Sequence, residues 1–289
     1  MIKFDPYILK VGHRLAMNKR IVLGLICLCV LAGFSGVEND VYPTVNNQSF
    51  KRGEVLHFKM TYGIFTVGRG TANIHPNYFK LNNRDCFKVD IFARTVGLVD
   101  WVADVNDQFG AYIDTSSLLP QMFYRRIREG DYKKDEQTYF DHYNRKISVK
   151  VADKATGKWG EPKVYDAPPH VRDMVGGFLL VRTMDLSDVQ VNDTIQIRGF
   201  FEDEFYNLRI VYKGKKDVRT KFGKVRTLVF KPVMPKNKLF EGEDSITAYF
   251  SDDKNRVPIK IDAEMFIGSA GVELTDYSGL RNPLNIVGN

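Results

Sequence analysis

Side chains that alternate between apolar and polar run through most of this chain, and no other feature restricts its fold as much. In Val55–Tyr62, Leu56, Phe58, Met60 and Tyr62 share one face while His57, Lys59 and Thr61 take the other. Phe87, Val89, Ile91 and Ala93 repeat the pattern, as do Ile147, Val149 and Val151. The longest case is Val257–Met265, where Val257, Ile259, Ile261, Ala263 and Met265 oppose Lys260, Asp262 and Glu264. A period of two belongs to strands with one buried face, which antiparallel sheets supply. Further strands are predicted at 99–105, 109–114, 121–128, 137–142, 194–201, 205–213, 225–231, 245–250 and 271–276. Turn residues separate many of them: Asn82-Asn83-Arg84-Asp85, Lys213-Gly214-Lys215 and Asp252-Asp253-Lys254-Asn255.

One segment departs from this rhythm. After Ala167-Pro168-Pro169, residues Val171, Met174, Val175, Phe178 and Leu179 fall at helical spacing, and proline before a first turn suits a helix start. Leu180, Val181 and Met184 extend the apolar surface around most of the helix, which predicts burial. Gly176-Gly177 would weaken an isolated helix by about 1 kcal/mol each, so close approach of a strand is the expected reason for them. The predicted fold is mainly β: an antiparallel, strongly curved sheet or incomplete β-barrel around one buried central helix at about 170–185. The polar stretches Ala152–Asp166 and Lys231–Asp244 are read as long loops.

A faint repetition runs through the chain. Ala111-Tyr112-Ile113-Asp114 leads through a turn to Pro120, and Ala248-Tyr249-Phe250-Ser251 leads through a turn to Pro258. Phe50-Lys51-Arg52-Gly53-Glu54 is echoed by Phe240-Glu241-Gly242-Glu243. Two similar halves, 48–165 and 190–280, flanking the helix would produce this. So would the general recurrence of aromatic strands that end in aspartate turns. Either way, residues 36–289 are read as a single β-rich domain.

The amino-terminal segment indicates export. Lys19 and Arg20 precede the apolar run Ile21–Gly33, and Gly33 and Ser35 fit the small positions before a cleavage site, so residues 1–35 read as a signal peptide. Met17 is an alternative initiator that would make residues 1–16 a start-site artefact. A membrane span needs about 20 apolar residues, more than this run supplies, so no stable span is expected once the leader is removed. Removal takes five basic residues and one acidic residue, lowering the net charge from +7 to +3. That modest excess gives no basis for nucleic-acid binding, which rests on a clustered cationic face. Of three cysteines, Cys27 and Cys29 leave with the leader, so Cys86 has no internal disulfide partner. The expected location is the periplasm or cell envelope.

Several scattered motifs then fall into a known order. Gly53-Glu54 opens an aromatic strand followed by Gly63 and Gly68, and Asp107 precedes Phe109–Asp114. Arg128-Glu129-Gly130, the segment Asp173–Arg182, Asp252-Asp253 with Asn255-Arg256-Val257-Pro258, and Gly268 follow. Over about residues 48–280 this order resembles domain-of-unknown-function family 3108, a family of exported bacterial proteins. The resemblance implies an envelope location and a β-rich fold, and it brings no activity, cofactor or catalytic residue. Gly176-Gly177 departs from the bulkier helix expected of the family.

Catalytic signatures are missing from the sequence. His57, His75, His142 and His170 lack H-x-H or H-E-x-x-H spacing, and Asp100, Asp104 and Asp107 lack calcium-loop order. Cys86 would need His57 or His142 beside it to act as a nucleophile. Ser269 lies outside a G-x-S-x-G elbow, and Gly68-Arg69-Gly70 is not followed by G-K-[ST]. No cofactor or metal is therefore indicated. Glu202-Asp203-Glu204, Glu241/Glu243/Asp244 and Asp252-Asp253 could supply paired carboxylates to a hydrolase of envelope glycan, and an outer-membrane β-barrel would also show alternation. Both stand as alternatives. The preferred reading is non-catalytic binding of an apolar or amphiphilic, lipid-like ligand, or of an envelope partner protein, in the concavity of the sheet. The candidate ligand-binding residues are Tyr124, Arg126, Arg128, Phe201 and Tyr206, aromatic and charged groups of the kind that line a pocket.

Overall fold

The computed structural model describes residues 41–97, 104–233 and 244–288. The leader at 1–35 and most of the strand expected at 99–105 lie outside them. Eight strands come first: β1 (Val55–Tyr62), β2 (Phe65–Leu81), β3 (Arg84–Thr95), β4 (Asn106–Asp114), β5 (Pro120–Glu129), β6 (Tyr132–Asp141), β7 (Lys146–Val151) and β8 (Lys163–Asp166). Helix α1 (Met174–Thr183) follows. Then come β9 (Thr194–Phe201), β10 (Glu204–Thr220), β11 (Gly223–Pro232), β12 (Ile246–Ser251), β13 (Pro258–Glu264), β14 (Ser269–Ser278) and β15 (Ile286–Gly288).

All belong to one antiparallel sheet in the order β8-β7-β6-β5-β4-β3-β2-β1-β14-β13-β12-β11-β10-β9, with β15 on β11. The sheet is mainly two meanders on either side of α1, joined where β14 pairs β1. It is not closed by hydrogen bonds. The β9 end is instead joined to β5 and β8 by side chains: Arg125 of β5 to Glu202 at 2.7 Å, Lys163 of β8 to Asp203 at 2.9 Å, and the ring pairs Phe123–Phe201 and Tyr165–Phe200. Arg172 adds a one-residue parallel bridge to Gly199 on β9, which covers part of an edge that would otherwise offer free backbone groups.

Besides β15 and the far end of β10, which are not predicted, the sequence and the structure differ at β2, at residues 152–166 and at the helix start. β2 is absent from the alternation because Gly68, Gly70 and Pro76 interrupt it; the ladder with β3 shifts register between Ile74 and Tyr78, a bulge that accommodates the proline. The stretch read as a loop at 152–166 ends in the four-residue β8, too short to show a period. The helix starts at Met174, later than the prolines suggest. His170 has φ +58°, Arg172 is bridged to β9, and Asp173 caps the helix by accepting the Gly176 N–H at 2.5 Å. Gly176 sits where the helix crosses the β4–β5 end of the sheet. A Cβ there would lie 3.3 Å from Asp173 Oδ1, tighter than most Cβ contacts, and in ordinary contact at 3.5 Å with Ile113 Cδ1.

The concave side is filled. Val171, Val175 and Leu179 pack with Phe50, Ile113, Leu118, Phe123, Phe140 and Phe200 in one cluster. Val181 packs with Ile197, Tyr212, Phe230 and Phe250 in a second. A third, of Leu56, Val225, Val257, Ile259 and Leu274, spans the junction of the meanders.

Two buried arginines fasten the helix to corresponding turns. Arg172 donates to the carbonyls of Leu118 and Ser117 in the β4–β5 turn. Arg182 donates through Nε and Nη2 to the Asn255 carbonyl in the β12–β13 turn, at 3.1 and 3.0 Å. Each turn holds a residue at positive φ two positions before a proline: Leu118 (+54°) before Pro120 and Arg256 (+46°) before Pro258. Arg182 also makes a bidentate pair with Glu54 at 2.5 and 3.0 Å, both side chains 1% exposed.

Candidate functional site

The five residues singled out from the sequence do not converge. Tyr124, Arg126 and Arg128 alternate along β5 on the face turned away from α1, opposite the core residues Phe123 and Ile127. The Tyr124 hydroxyl donates to Asp90 at 2.5 Å, and burial with that carboxylate raises its pKa. Arg126 is exposed, with Nη1 3.5 Å from Gln108 Oε1. Arg128 Nη2 donates to both carboxylate oxygens of Asp135 at 2.9 Å. Phe201 lies on the core side against Phe123, with the Arg125 guanidinium 4.9 Å from its ring centroid. Tyr206 stands near the β9–β10 turn and donates to Glu204 at 2.9 Å.

Nor do the candidate catalytic groups assemble. His142 is buried against the Pro120 carbonyl at 2.7 Å, and burial lowers its pKa. Glu202 and Asp203 are engaged by Arg125 and Lys163, and Asp252 by Lys215 at 2.8 Å. Asp253 shapes its own turn by accepting the N–H groups of Asn255 and Arg256. Glu241 and Glu243 lie outside the described residues. No group of three or more potential metal ligands occurs among the described residues. Cys86 is fully buried, and burial followed by the nearby Asp114 charge pushes its thiol up to about 12. It is expected to resist alkylation by iodoacetamide at mildly alkaline pH in the folded protein and to react once urea unfolds the chain. Rapid labelling without denaturant would show the buried assignment to be wrong.

A different site lies on the outer face of the first three strands. Register places Lys59 of β1 opposite Arg69 of β2, and Arg69 opposite Arg94 of β3, so three cations stand in one row across adjacent strands. Like charges placed directly opposite destabilise a sheet, and this row is only partly neutralised. Lys59 pairs with Glu273 at 3.2 Å, whereas the guanidinium groups of Arg69 and Arg94 have no ion-pair or hydrogen-bond partner among the described residues. The neighbouring row sets Asp276, His57, Thr71 and Phe92 side by side. These two rows, with Thr66 of β2 and Lys221 of the β10–β11 turn, line a cavity of about 700 Å³. Phe92, 41% exposed, supplies an apolar wall.

The chemistry available there is recognition of an anion. Two guanidinium groups, each a rigid fork of donors, match a phosphate, sulfate or carboxylate. His57 Nδ1 lies 3.2 Å from the Thr71 hydroxyl, the contact a nucleophile–base pair would make. The third member of such a set is not engaged, because Asp276 Oδ1 accepts the Tyr277 N–H instead. Sequence reasoning missed this site because Lys59, Arg69 and Arg94 are far apart in the chain and only strand register aligns them. The usable signal was that Lys59 and Arg94 sit on the polar side of alternating strands, whereas Arg69 lies in β2, which shows no alternation.

Comparison with known proteins places the chain by family rather than by activity. No curated protein matches it. Among solved structures, a β-barrel-like protein of the domain of unknown function DUF1849 from Brucella abortus is similar at 10% identity with a TM-score of 0.49, covering 82% of this chain and 98% of that one. A hypothetical protein from Chlamydia trachomatis is similar at 11% identity with a TM-score of 0.32, covering 84% and 95%. The model of a protein family of unknown function, DUF3108, matches residues 57–275. The chain belongs to the DUF3108 family.

Proposed function

We propose that this protein is an exported, non-catalytic binding module of the cell envelope that holds an anionic amphiphile on the outer face of its sheet. The observation that carries this reading is the pair of adjacent guanidinium groups of Arg69 and Arg94, unpartnered among the described residues, beside an apolar wall in a cavity of about 700 Å³. The head group would lie between the two arginines and Lys59, with its apolar portion along Phe92. The concavity is not available for this role, since α1 and the aromatic side chains around it fill that space. Among the described residues no helix is long and apolar enough to cross a membrane.

Dodecyl phosphate, titrated calorimetrically below its micelle concentration, is a direct probe. Removing both forks with Arg69→Gln and Arg94→Gln is expected to weaken binding at least about a hundredfold, since hydrogen bonds to a charged group contribute about 1.5–3 kcal/mol each. The fold should tolerate the change, because it relieves like-charge repulsion across β2 and β3. Equal affinity in the double variant, or no uptake of dodecyl phosphate by the natural sequence, would refute the assignment.

A further inference from the structure

We infer that the end of the sheet carrying the β1–β2 and β13–β14 turns is a docking surface for an anionic lipid bilayer. Four large apolar side chains stand exposed on these two turns: Ile64 at 92%, Phe65 at 68%, Phe266 at 62% and Ile267 at 79%. Isolated exposed apolar residues are ordinary, but four on adjoining tips form a patch that marks an interaction site.

The patch is held rigidly. β1 and β14 are hydrogen-bonded neighbours, so their turns lie side by side. The Gly63 N–H donates to the Ser269 carbonyl at 2.8 Å, and the Tyr62 hydroxyl donates to the Ile267 carbonyl. Gly268, at φ +73°, leaves room for the Tyr62 ring, where a Cβ would come within 2.9 Å of the hydroxyl oxygen. Backbone ties therefore hold the apolar groups out in water, against the tendency of such turns to fold them inward.

The occupant follows from shape and charge. Hairpin tips project, which suits insertion into a soft layer better than docking in a protein groove. Behind them on the same sheet stand Arg69 and Arg94, not neutralised by any described residue, and Tyr62, 40% exposed, lies at a level between the tips and the cationic row on the opposite face of the sheet. Apolar tips, one exposed tyrosine at the next level and a cationic row beyond it correspond to acyl chains, interface and anionic head groups in turn. Because the tip side chains are separate from the arginines, this surface can be tested independently of ligand uptake in the cavity.

The test is flotation of the full chain with vesicles of equal parts phosphatidylglycerol and phosphatidylcholine, compared with phosphatidylcholine alone. The natural sequence should float with the anionic vesicles. The variant Ile64→Ser, Phe65→Ser, Phe266→Ser and Ile267→Ser should bind roughly a hundredfold more weakly while retaining dodecyl phosphate binding and its circular dichroism. Any contribution of the amino-terminal apolar run is common to both chains and cancels. In a second measurement, Phe266→Trp should add fluorescence that brominated lipid quenches. Equal flotation of the serine variant, no flotation of the natural sequence, an added indole signal that brominated lipid leaves unquenched, or tips covered by a soluble protein that excludes vesicles would each overturn the inference.

Discussion

Replacing Glu54 by alanine is expected to destabilise the protein by about 3–5 kcal/mol, the cost of stranding a charge inside a core. The partner left behind is Arg182, the largest fully buried side chain among the described residues. Its remaining contacts, two bonds to the Asn255 carbonyl and the faces of Phe50 and Phe178 at 5.3 and 5.8 Å, cannot neutralise it. Urea unfolding followed by fluorescence measures the loss. Exchanging both partners, Glu54→Leu with Arg182→Met, should recover most of it, because apolar side chains of similar volume remove the desolvation cost together with the attraction. A loss below about 1 kcal/mol for Glu54→Ala would mean that the pair is solvated as an exposed one would be.

The second large effect is a dependence on pH that passes through Asp173. Burial raises this carboxyl from 3.8 to about 7, while the Gly176 and Val175 N–H groups and Arg172 offset part of the shift. Its Oδ2 is buried without a hydrogen-bond partner. The folded state therefore holds the proton more tightly than the unfolded chain does. The stability contributed by the neutral form is complete below pH 3.8 and is lost as pH rises to about 7. A gap of about three units corresponds to about 4 kcal/mol. Asp173→Asn cannot ionise, so its stability relative to the natural protein should rise by about that amount between about pH 4 and 7. Taking the difference cancels carboxylates of opposite slope, such as Asp114, whose pKa the Arg84 and Ser117 hydrogen bonds lower against the effect of burial. Parallel stability curves for the two proteins would rule the effect out.

How far the fold was legible depends on where side-chain chemistry and environment agree. β1 and β13 form where the alternation puts them, with Leu56 and Ile259 buried, although towards Tyr62 and Glu264 both faces are partly exposed. β5 shows where the pattern misleads. Tyr124, Arg126 and Arg128 do share a face, but Arg125 is the residue that points inward, buried to 3% and neutralised by Glu136. A paired charge in a core reads as solvent until its partner is known. The same holds for Arg182, whose partner is 128 residues away. The cationic cavity was illegible for a related reason, since it exists through register between strands and no single segment contains it.

The Arg182 contacts bear on how the chain comes to be made. The guanidinium is satisfied by Glu54 near one end of the domain and by the Asn255 carbonyl near the other. While the polypeptide is still being synthesised, the helix and the first meander are complete before residue 255 exists. A half-made chain that compacted early would enclose a cation with one of its acceptors missing. Fragments ending before residue 255 should therefore stay open and accessible to protease, with commitment to the native state deferred until the final strands have left the ribosome.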